Sequence, residues 1–383
     1  MTTGQAIAAT ARLWLKRGSS WMARAKRDIT AFSPPMVEMG LRELFADIAS
    51  NVEELERREA PHSTLTAPRS NVAHVLSGNL PNPGIVSIIV GLLAGARNVV
   101  KPATGDPMPA LFVESLARVN AKLAGRVELT DDRKAYQRAK IVVSYGDDET
   151  LRTLRKNHRR DASTAFFGFG HRASIGLVNF SRFALHAQRS TLIAAAARDA
   201  SMWDQQGCMS PQCFYVRGDA AAFAEALARD MERFDRHWSR ATLPFEDAAA
   251  IARARSEWNF RGRVWASKGS THWTVALDER DRWAPSPLNR FVFVRPIELL
   301  TTRDSRSDIR KLAAGRKTTK HEARSTSCAL PPLSTVGFAG FPPKEIIAMA
   351  RADRYCSLGE MQRPSLLLTH GSRPRVGDLI HES

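Results

Sequence analysis

The sequence predicts an α/β protein of two to three domains, and three observations predict it. Residues 72–76 read as a short strand, followed by a turn (Ser77, Gly78, Asn79, Pro81 to Gly84), a small-residue helix over 85–94 and a second strand over 98–101. That order is one half of an open α/β unit, whose ligands sit beyond the carboxyl ends of the strands. The buried-looking strand 141–144 then runs through Tyr145 and Gly146 into acids before a helix over 150–155, with Asp147 or Asp148 as its N-cap. Finally, 383 residues at 43% hydrophobic content are enough for more than one real core.

The remaining elements follow in chain order. Residues 5–30 carry Arg12, Lys16, Arg17, Arg24, Lys26 and Arg27 with no acid until Asp28, and read as part of a solvated basic arm over 1–34. An amphipathic surface-seeking helix and a transit-like segment are the alternatives, although Gly18, Ser19 and Ser20 interrupt the pattern. Leu41, Leu44, Phe45, Ile48 and Val52 recur at helical spacing, so 36–59 is a packing helix; 64–68 is a linker. A helix is expected over 109–123. The run 166–176 sets glycines around His171 and Arg172, which suits either backbone amides approaching a phosphate or a tight crossover between domains. Alanine-rich 190–201 is a helix, 211–216 a strand with Cys213 in the core, and 219–237 a long helix carrying Phe223, Leu227, Met231 and Phe234. Another helix covers 243–258, and strands are expected over 273–277 and 290–294. A polar stretch at 301–324 precedes a strand over 333–338 and a helix over 342–350.

Composition narrows the function classes. Fifty-six basic against 39 acidic residues give a net charge of +17, a field that favours anionic partners such as nicotinamide phosphates or coenzyme A. Neither basic residues interleaved with aromatics on strands nor a helical reading module is visible, so nucleic acid is not the expected partner. The four cysteines, at 208, 213, 328 and 356, form no C-x-x-C pair, which argues against a disulfide scaffold or a cysteine-built zinc site and for reducing cytosol. No stretch reaches the roughly 20 apolar residues of a membrane span.

Cys208 is the leading chemical candidate. It stands at the glycine-loosened end of Trp203-Asp204-Gln205-Gln206-Gly207-Cys208, just past a helix that could deliver its thiol to a cleft mouth. A thiol needs only a lowered pKa or an oxyanion partner to attack a carbonyl. The competing reading is a buried structural cysteine. Similarly, Asn79 reads equally as a turn residue held by its own amide, and Lys101 as a solvated strand-end lysine.

This run, with Asn79-Leu80-Pro81 and Asn98-Val99-Val100-Lys101-Pro102 upstream, resembles the fatty-acyl-CoA reductases of bacterial luminescence, a branch of the aldehyde dehydrogenase superfamily. The resemblance covers about residues 70–220 well and the rest loosely. It implies a Rossmann-type cofactor domain (35–170), a second α/β catalytic domain carrying the nucleophile (171–345), and a C-terminal return to the cofactor domain (346–383). It further implies that Cys208 attacks an acyl thioester, with the Asn79 amide and the Cys208 backbone N–H as oxyanion donors. Lys101 would hydrogen-bond the ribose of NADPH and, near Thr104, accommodate a 2'-phosphate, with Gly146 and Thr150 lying against the cofactor. Where ordinary aldehyde dehydrogenases hold a water-activating glutamate, this chain has no Glu between Glu149 and Glu225, which suits a reductase that must not hydrolyse its acyl-enzyme. His171 is left outside the catalytic core. A homo-oligomer and an acyl-activating partner enzyme are expected from the resemblance. The alternatives are a non-catalytic binding or scaffold protein of this fold, and a reductase for a carrier-protein-bound acyl group.

Overall fold

Thr2 starts the first helix: its side chain accepts from the Gln5 N–H at 3.2 Å while the Gln5 amide oxygen accepts from the Thr2 N–H at 3.0 Å, a reciprocal cap. In the computed structural model, which describes residues 1–60, 71–78, 80–132, 134–158, 165–170, 172–280, 283–300, 331–369 and 375–381, this helix α1 (Thr3–Leu15) is followed by α2 (Ser20–Asp28) and α3 (Pro34–Glu59). Ala6, Ile7, Ala8, Ala11 and Trp14 of α1 are all fully buried. Trp14 stacks on Phe45 of α3 at 4.5 Å, and its indole N–H donates to Ser115 Oγ at 2.9 Å. The solvated arm expected for 1–34 is therefore corrected. Its basic residues line the outside, where Arg24 pairs with Glu114 and Lys26 with Glu38, while alanines too small to stand out as an apolar stripe let α1 close on α3. Burying Ile7 alone stabilises by about 1.5–3 kcal/mol, which outweighs the exposure preference of charges that stay wet.

The helices lead into a five-stranded sheet of order β3-β2-β1-β4-β5, every neighbouring pair parallel. Its strands are β1 (Asn71–Val75), β2 (Arg97–Lys101), β3 (Val127–Leu129), β4 (Ile141–Tyr145) and β5 (Ala165–Phe169). The apolar helix α4 (Asn82–Leu93) makes the crossover from β1 to β2. The helix expected over 109–123 is two pieces, α5 (Met108–Ala117) and α6 (Ala121–Ala124), because Asn120 leaves the helical backbone and caps the Leu123 N–H at 3.0 Å. After β4, Asp147 caps α7 (Asp148–His158), accepting from the Thr150 N–H at 2.7 Å.

A second unit spans Arg172–Gln362, whereas Met1–His171 and Arg363–Ser383 form the first. The second unit's seven-stranded sheet has the order β12-β11-β6-β7-β10-β9-β8, parallel except for β8 against β9. Its strands are β6 (Ala173–Asn179), β7 (Pro211–Arg217), β8 (Arg263–Ala266), β9 (Thr274–Leu277), β10 (Phe291–Pro296), β11 (Leu333–Ala339) and β12 (Ala352–Ser357). The period of two along β7 sorts its side chains. Phe214 and Val216 join a core with Phe223, Leu227 and Met231 of α9 (Ala220–His237) and the small residues of α8 (His186–Ser201). Cys213 and Tyr215 join another with Ile251 and Trp258 of α10 (Phe245–Arg261) and Ile346 of α11 (Pro343–Met349).

Two expectations shift here. Glycines of the 166–176 run serve packing rather than a phosphate cradle: a Cβ on Gly176 would lie 2.1 Å from the Phe214 ring, and one on Gly168 2.8 Å from Phe166. The run is the crossover from one unit to the other. The C-terminal return begins at Arg363 rather than at 346, because β12 pairs with β11 in the second unit's sheet. The tail is then tied down by α3, whose Asp47 accepts from the Leu366 N–H at 2.7 Å and whose Glu59 accepts from the Val376 N–H at 2.6 Å. No helix among the described residues is long and apolar enough to cross a membrane.

Candidate active site

In the first unit, the strand order reverses direction beside β1, and a cleft of about 230 Å³ opens at the carboxyl ends of β1 and β2. Val75, Val99, Tyr136 and Leu154 give it apolar walls; Lys101 and Thr150 give it polar ones. The structure thus brings together two of the residues expected to hold a cofactor. Gly146 adjoins them, since a Cβ there would meet, among the described residues, the Thr150 side chain alone, at 3.5 Å. Packing does not demand that glycine, and its openness leaves the backbone approachable. Lys101 Nζ donates to its neighbour's carbonyl, Pro102 O, at 2.7 Å. Thr150 Oγ1 donates to Asp147 at 3.1 Å, and the Thr150 N–H and hydroxyl hold the Asp147 carboxyl below the usual carboxylate range. Thr104 is exposed and outside the cleft lining. The cleft suits part of a dinucleotide, a base against apolar walls with hydroxyl or phosphate oxygens at the lysine.

His74, on the cleft floor, was not singled out by sequence. It is 1% exposed, with Nδ1 2.7 Å from Ser87 Oγ and Nε2 2.8 Å from Asn98 Oδ1. Because the Asn98 oxygen only accepts, Nε2 carries the proton and Nδ1 accepts from the Ser87 hydroxyl. Burial pushes this imidazole down to about 4, with the Asn98 bond opposing.

In the second unit, Cys208 lies on the turn after α8, closed by Ser210 N–H donating to Gly207 O at 2.9 Å. The residue is exposed; the description of a buried core cysteine belongs instead to Cys213, whose thiol burial pushes up to about 12. Three strands hold the turn. Ser174 of β6 donates to Cys208 O at 2.7 Å and itself accepts from the Thr335 N–H of β11 at 3.1 Å. Ser334 Oγ approaches Cys208 Sγ at 3.9 Å. Behind the turn, Gln205 donates to Pro211 O at 2.9 Å, at the start of β7. Protein atoms crowded round the sulfur push the thiol above its ordinary range, while the Ser334 contact and its own backbone N–H pull the other way. At rest it is a protonated thiol that becomes a nucleophile on losing its proton.

Three described carboxylates near the turn are engaged. Asp199, in the last turn of α8, accepts from the Gly359 and Met361 N–H groups at 2.6 and 3.1 Å, and burial pushes its carboxyl up to about 7 against those donors. Asp353 pairs with Arg172, and Asp204 with Arg290. Asn79 and His171, like Cys328 and His370, lie outside the described residues.

Sequence reasoning missed the support beneath Cys208. Trp203, Asp204 and Gln205 have φ of +53°, +50° and +65°, and Leu288, Asn289 and Arg290 have φ of +60°, +56° and +64°. Left-handed backbone costs a residue with a Cβ roughly 1–2 kcal/mol, so such triplets persist only where surrounding structure dictates them. Here the fully buried Arg290 donates from Nε to Asp204 Oδ1 at 2.9 Å, from Nη1 to Asp235 Oδ1 at 2.7 Å and from Nη2 to Trp238 O at 2.7 Å. Gln206 Nε2 donates to Asn289 Oδ1 at 2.8 Å. Burial pushes the Asp204 carboxyl up, with Arg290 pulling it back. The strand expected to start at 290 starts at Phe291.

The family described as acyl-CoA reductase (LuxC) matches residues 25–307, a longer stretch than the one on which the resemblance rested. The long-chain acyl-protein thioester reductase of Aliivibrio fischeri is 24% identical over 245 residues, which are 60% of this chain and 49% of that relative. This chain spans about half the length of the curated relatives it matches. Among solved structures, a proline utilization A variant of Bradyrhizobium japonicum superposes with a TM-score of 0.67 at 14% identity, over 98% of this chain and 42% of that one. The NAD-dependent benzaldehyde dehydrogenase of Corynebacterium glutamicum gives 0.63 at 11%, over 95% and 83%. At such identities the likeness speaks for the fold alone, and that fold is the aldehyde dehydrogenase one: a Rossmann-like α/β domain with a second α/β domain.

Proposed function

The chain belongs to the acyl-CoA reductase (LuxC) family, and from that premise we propose that it reduces an acyl thioester to an aldehyde through an acyl-Cys208 intermediate. One observation carries the reading: an exposed thiol on a turn whose carbonyl and sulfur are held by Ser174 and Ser334, with the described carboxylates around it already engaged.

Cys208, on losing its proton, attacks the thioester carbonyl carbon. A carbon–sulfur bond to Cys208 forms, the bond to the carrier sulfur breaks, and the carrier leaves as a thiol with the proton that Cys208 gave up. Negative charge on the carbonyl oxygen falls to the Cys208 backbone N–H, a donor of a kind that contributes roughly 3–4 kcal/mol; Asn79, whose amide the resemblance implies as a second donor, lies outside the described residues. Bound NADPH supplies the hydride. Lys101, Gly146 and Thr150 would hold that cofactor in the first unit's cleft, with Thr104, exposed nearby, left for a 2'-phosphate. With that hydride on the carbonyl carbon, the thiohemiacetal on Cys208 collapses: its carbon–sulfur bond breaks, aldehyde leaves, and the sulfur takes up a proton from solvent to regenerate the thiol. Asp204 and Asp353 are paired with arginines and both Asp199 oxygens accept backbone N–H groups, so these three carboxylates are not free to orient water against the acyl group.

The acyl donor must come from an acyl-activating or acyl-transfer step, and the free thiol suits a reducing compartment such as the cytoplasm. The chain's relatives in Aliivibrio fischeri and Vibrio harveyi are long-chain acyl-protein thioester reductases, which favours a second donor class, a protein-bound acyl thioester. Homo-oligomerisation, expected from the family, is read by sedimentation.

The test mixes the protein with acyl-CoA esters of graded length, an acyl-loaded carrier protein and NADPH. Cofactor loss at a rate matching aldehyde release is expected, with an acyl mass increment on the peptide containing Cys208. Lys101→Met should raise the KM for NADPH about tenfold or more without moving the unfolding midpoint. An acyl group on no cysteine, with no cofactor consumed for any donor, would defeat the proposal.

A further inference from the structure

We propose that Arg290 is a positioning residue for Cys208, clamping two left-handed triplets together so that the nucleophile's turn holds one geometry; this rests on the reading of Cys208 as the nucleophile. The triplets 203–205 and 288–290 are far apart in sequence, and neither contains a glycine that would adopt positive φ unaided. Something outside each must therefore impose its shape. The Arg290 guanidinium ties the second triplet to Asp204 in the middle of the first, and anchors both to Asp235 and Trp238 O at the end of α9. Gln206 and Asn289 add a lateral amide bond, two residues from Cys208. Arg240 continues the framework, donating to Asn289 O at 3.3 Å and Thr271 Oγ1 at 2.9 Å, while His272 Nδ1 lies 2.8 Å from Asp235 Oδ2.

A salt bridge this deeply buried is a poor stabiliser compared with apolar packing, and its best-attested use is to specify one arrangement. A planar fork with donors in fixed directions suits that task, because it sets the direction of Asp204 as well as its distance. Asp204 lies four residues before the thiol and Gln206 two. A shift of about 1 Å at a reacting atom costs on the order of 100-fold in rate. Nothing in Arg290 touches the reacting atoms, so its effect passes through the turn.

The experiment compares wild type with Arg290→Met and Asn289→Gly by amide hydrogen exchange of the peptide covering 202–210, and by single-turnover acylation of Cys208 from acyl-CoA at saturation. Arg290→Met keeps the volume and removes the fork. Asn289→Gly keeps access to left-handed backbone and the carbonyl that Arg240 meets, and removes the side chain that accepts from Gln206, so it stays informative where Arg290→Met does not fold. Exchange over 202–210 is expected to rise at least tenfold in both variants. Acylation is expected to fall about 100-fold in Arg290→Met and about threefold to tenfold in Asn289→Gly, with KM for acyl-CoA nearly unchanged. Wild-type exchange over 202–210 in a folded variant, with only the unfolding midpoint lowered, would overturn the clamp. If no acyl thioester acylates the wild type, the reading of the reaction fails, while the exchange comparison still decides whether Arg290 orders the turn.

Discussion

Cys208→Ala is expected to abolish aldehyde formation, lowering kcat by about 10⁴-fold or more, while leaving the fold as stable as before. Removing a covalent nucleophile leaves only binding and oxyanion stabilisation, and losses of that order follow when one member of a catalytic unit is deleted. Stability is spared because Cys208 is exposed and Ser174 holds its carbonyl, which alanine retains. The unfolding midpoint should move by no more than about 0.5 kcal/mol equivalent. The wild-type thiol provides a second readout. With its pKa pushed up by the atoms around the sulfur, its thiolate fraction, and so its labelling by iodoacetamide, should keep rising with pH beyond the ordinary thiol range. Retention of aldehyde formation above one percent in the alanine variant would place the nucleophile elsewhere.

Gly91→Ala should have the largest effect on stability. A Cβ on Gly91 would lie 1.8 Å from Asn98 Oδ1 and 3.1 Å from His74 Nε2, within a group whose members are buried. The alanine displaces the Asn98 amide and strips the His74 N–H of its acceptor. Overpacking costs about 1–3 kcal/mol and an unsatisfied buried donor about 1–3 more, against a gain of about 1 from helix propensity. The net loss, roughly 1–5 kcal/mol, is a large share of the 5–15 kcal/mol typical of a folded chain and would be read from urea unfolding. A loss below about 1 kcal/mol would mean that α4 moves to accommodate the methyl.

The same histidine makes a pH signature. Its folded pKa, about 4, lies below the unfolded value near 6.5, so between these the unfolded chain binds the extra proton. Stability from this group is complete above about pH 6.5 and declines as pH falls toward 4, by roughly 3 kcal/mol in all. Asp199, raised to about 7, has the opposite sign, losing stability as pH rises from about 4 to 7. The difference between wild type and His74→Gln isolates the histidine: the gap between their stabilities should narrow as pH drops below 6.5, and a constant gap would contradict the assignment.

Much of this architecture is legible in local sequence, for definite reasons. The strand, turn and helix from 71 to 101 show because β-branched runs and a Pro/Gly turn are short-range signals, and Lys101, Gly146 and Thr150 fall together because Lys101 ends β2 while the other two follow β4 of the same sheet. The burial of α1 was hidden because alanines carry its contact face while the basic residues from Arg12 to Arg27 set the charge of the arm as a whole. Thr104 sits one short turn beyond a lining residue, and local spacing cannot say which way that turn faces. Arg290 was hidden for another reason: nothing near Trp203-Asp204-Gln205 announces left-handed backbone, and its cause lies 86 positions away in sequence. Pairings of that span are set by tertiary packing.

The tail's return to the first unit bears on the order in which the protein is completed during synthesis. Residues 172–362 form a continuous stretch, but the first unit needs residues 363–383, among them the backbone groups that Asp47 and Glu59 accept from. The portion translated first is therefore finished last. At ribosomal speeds of about 5–20 residues per second, the later unit has all its residues roughly one to four seconds before the earlier one does. Through that interval Asp47 keeps only its bond from Asn51 on the same helix, and the backbone donors that complete the first unit are still to come.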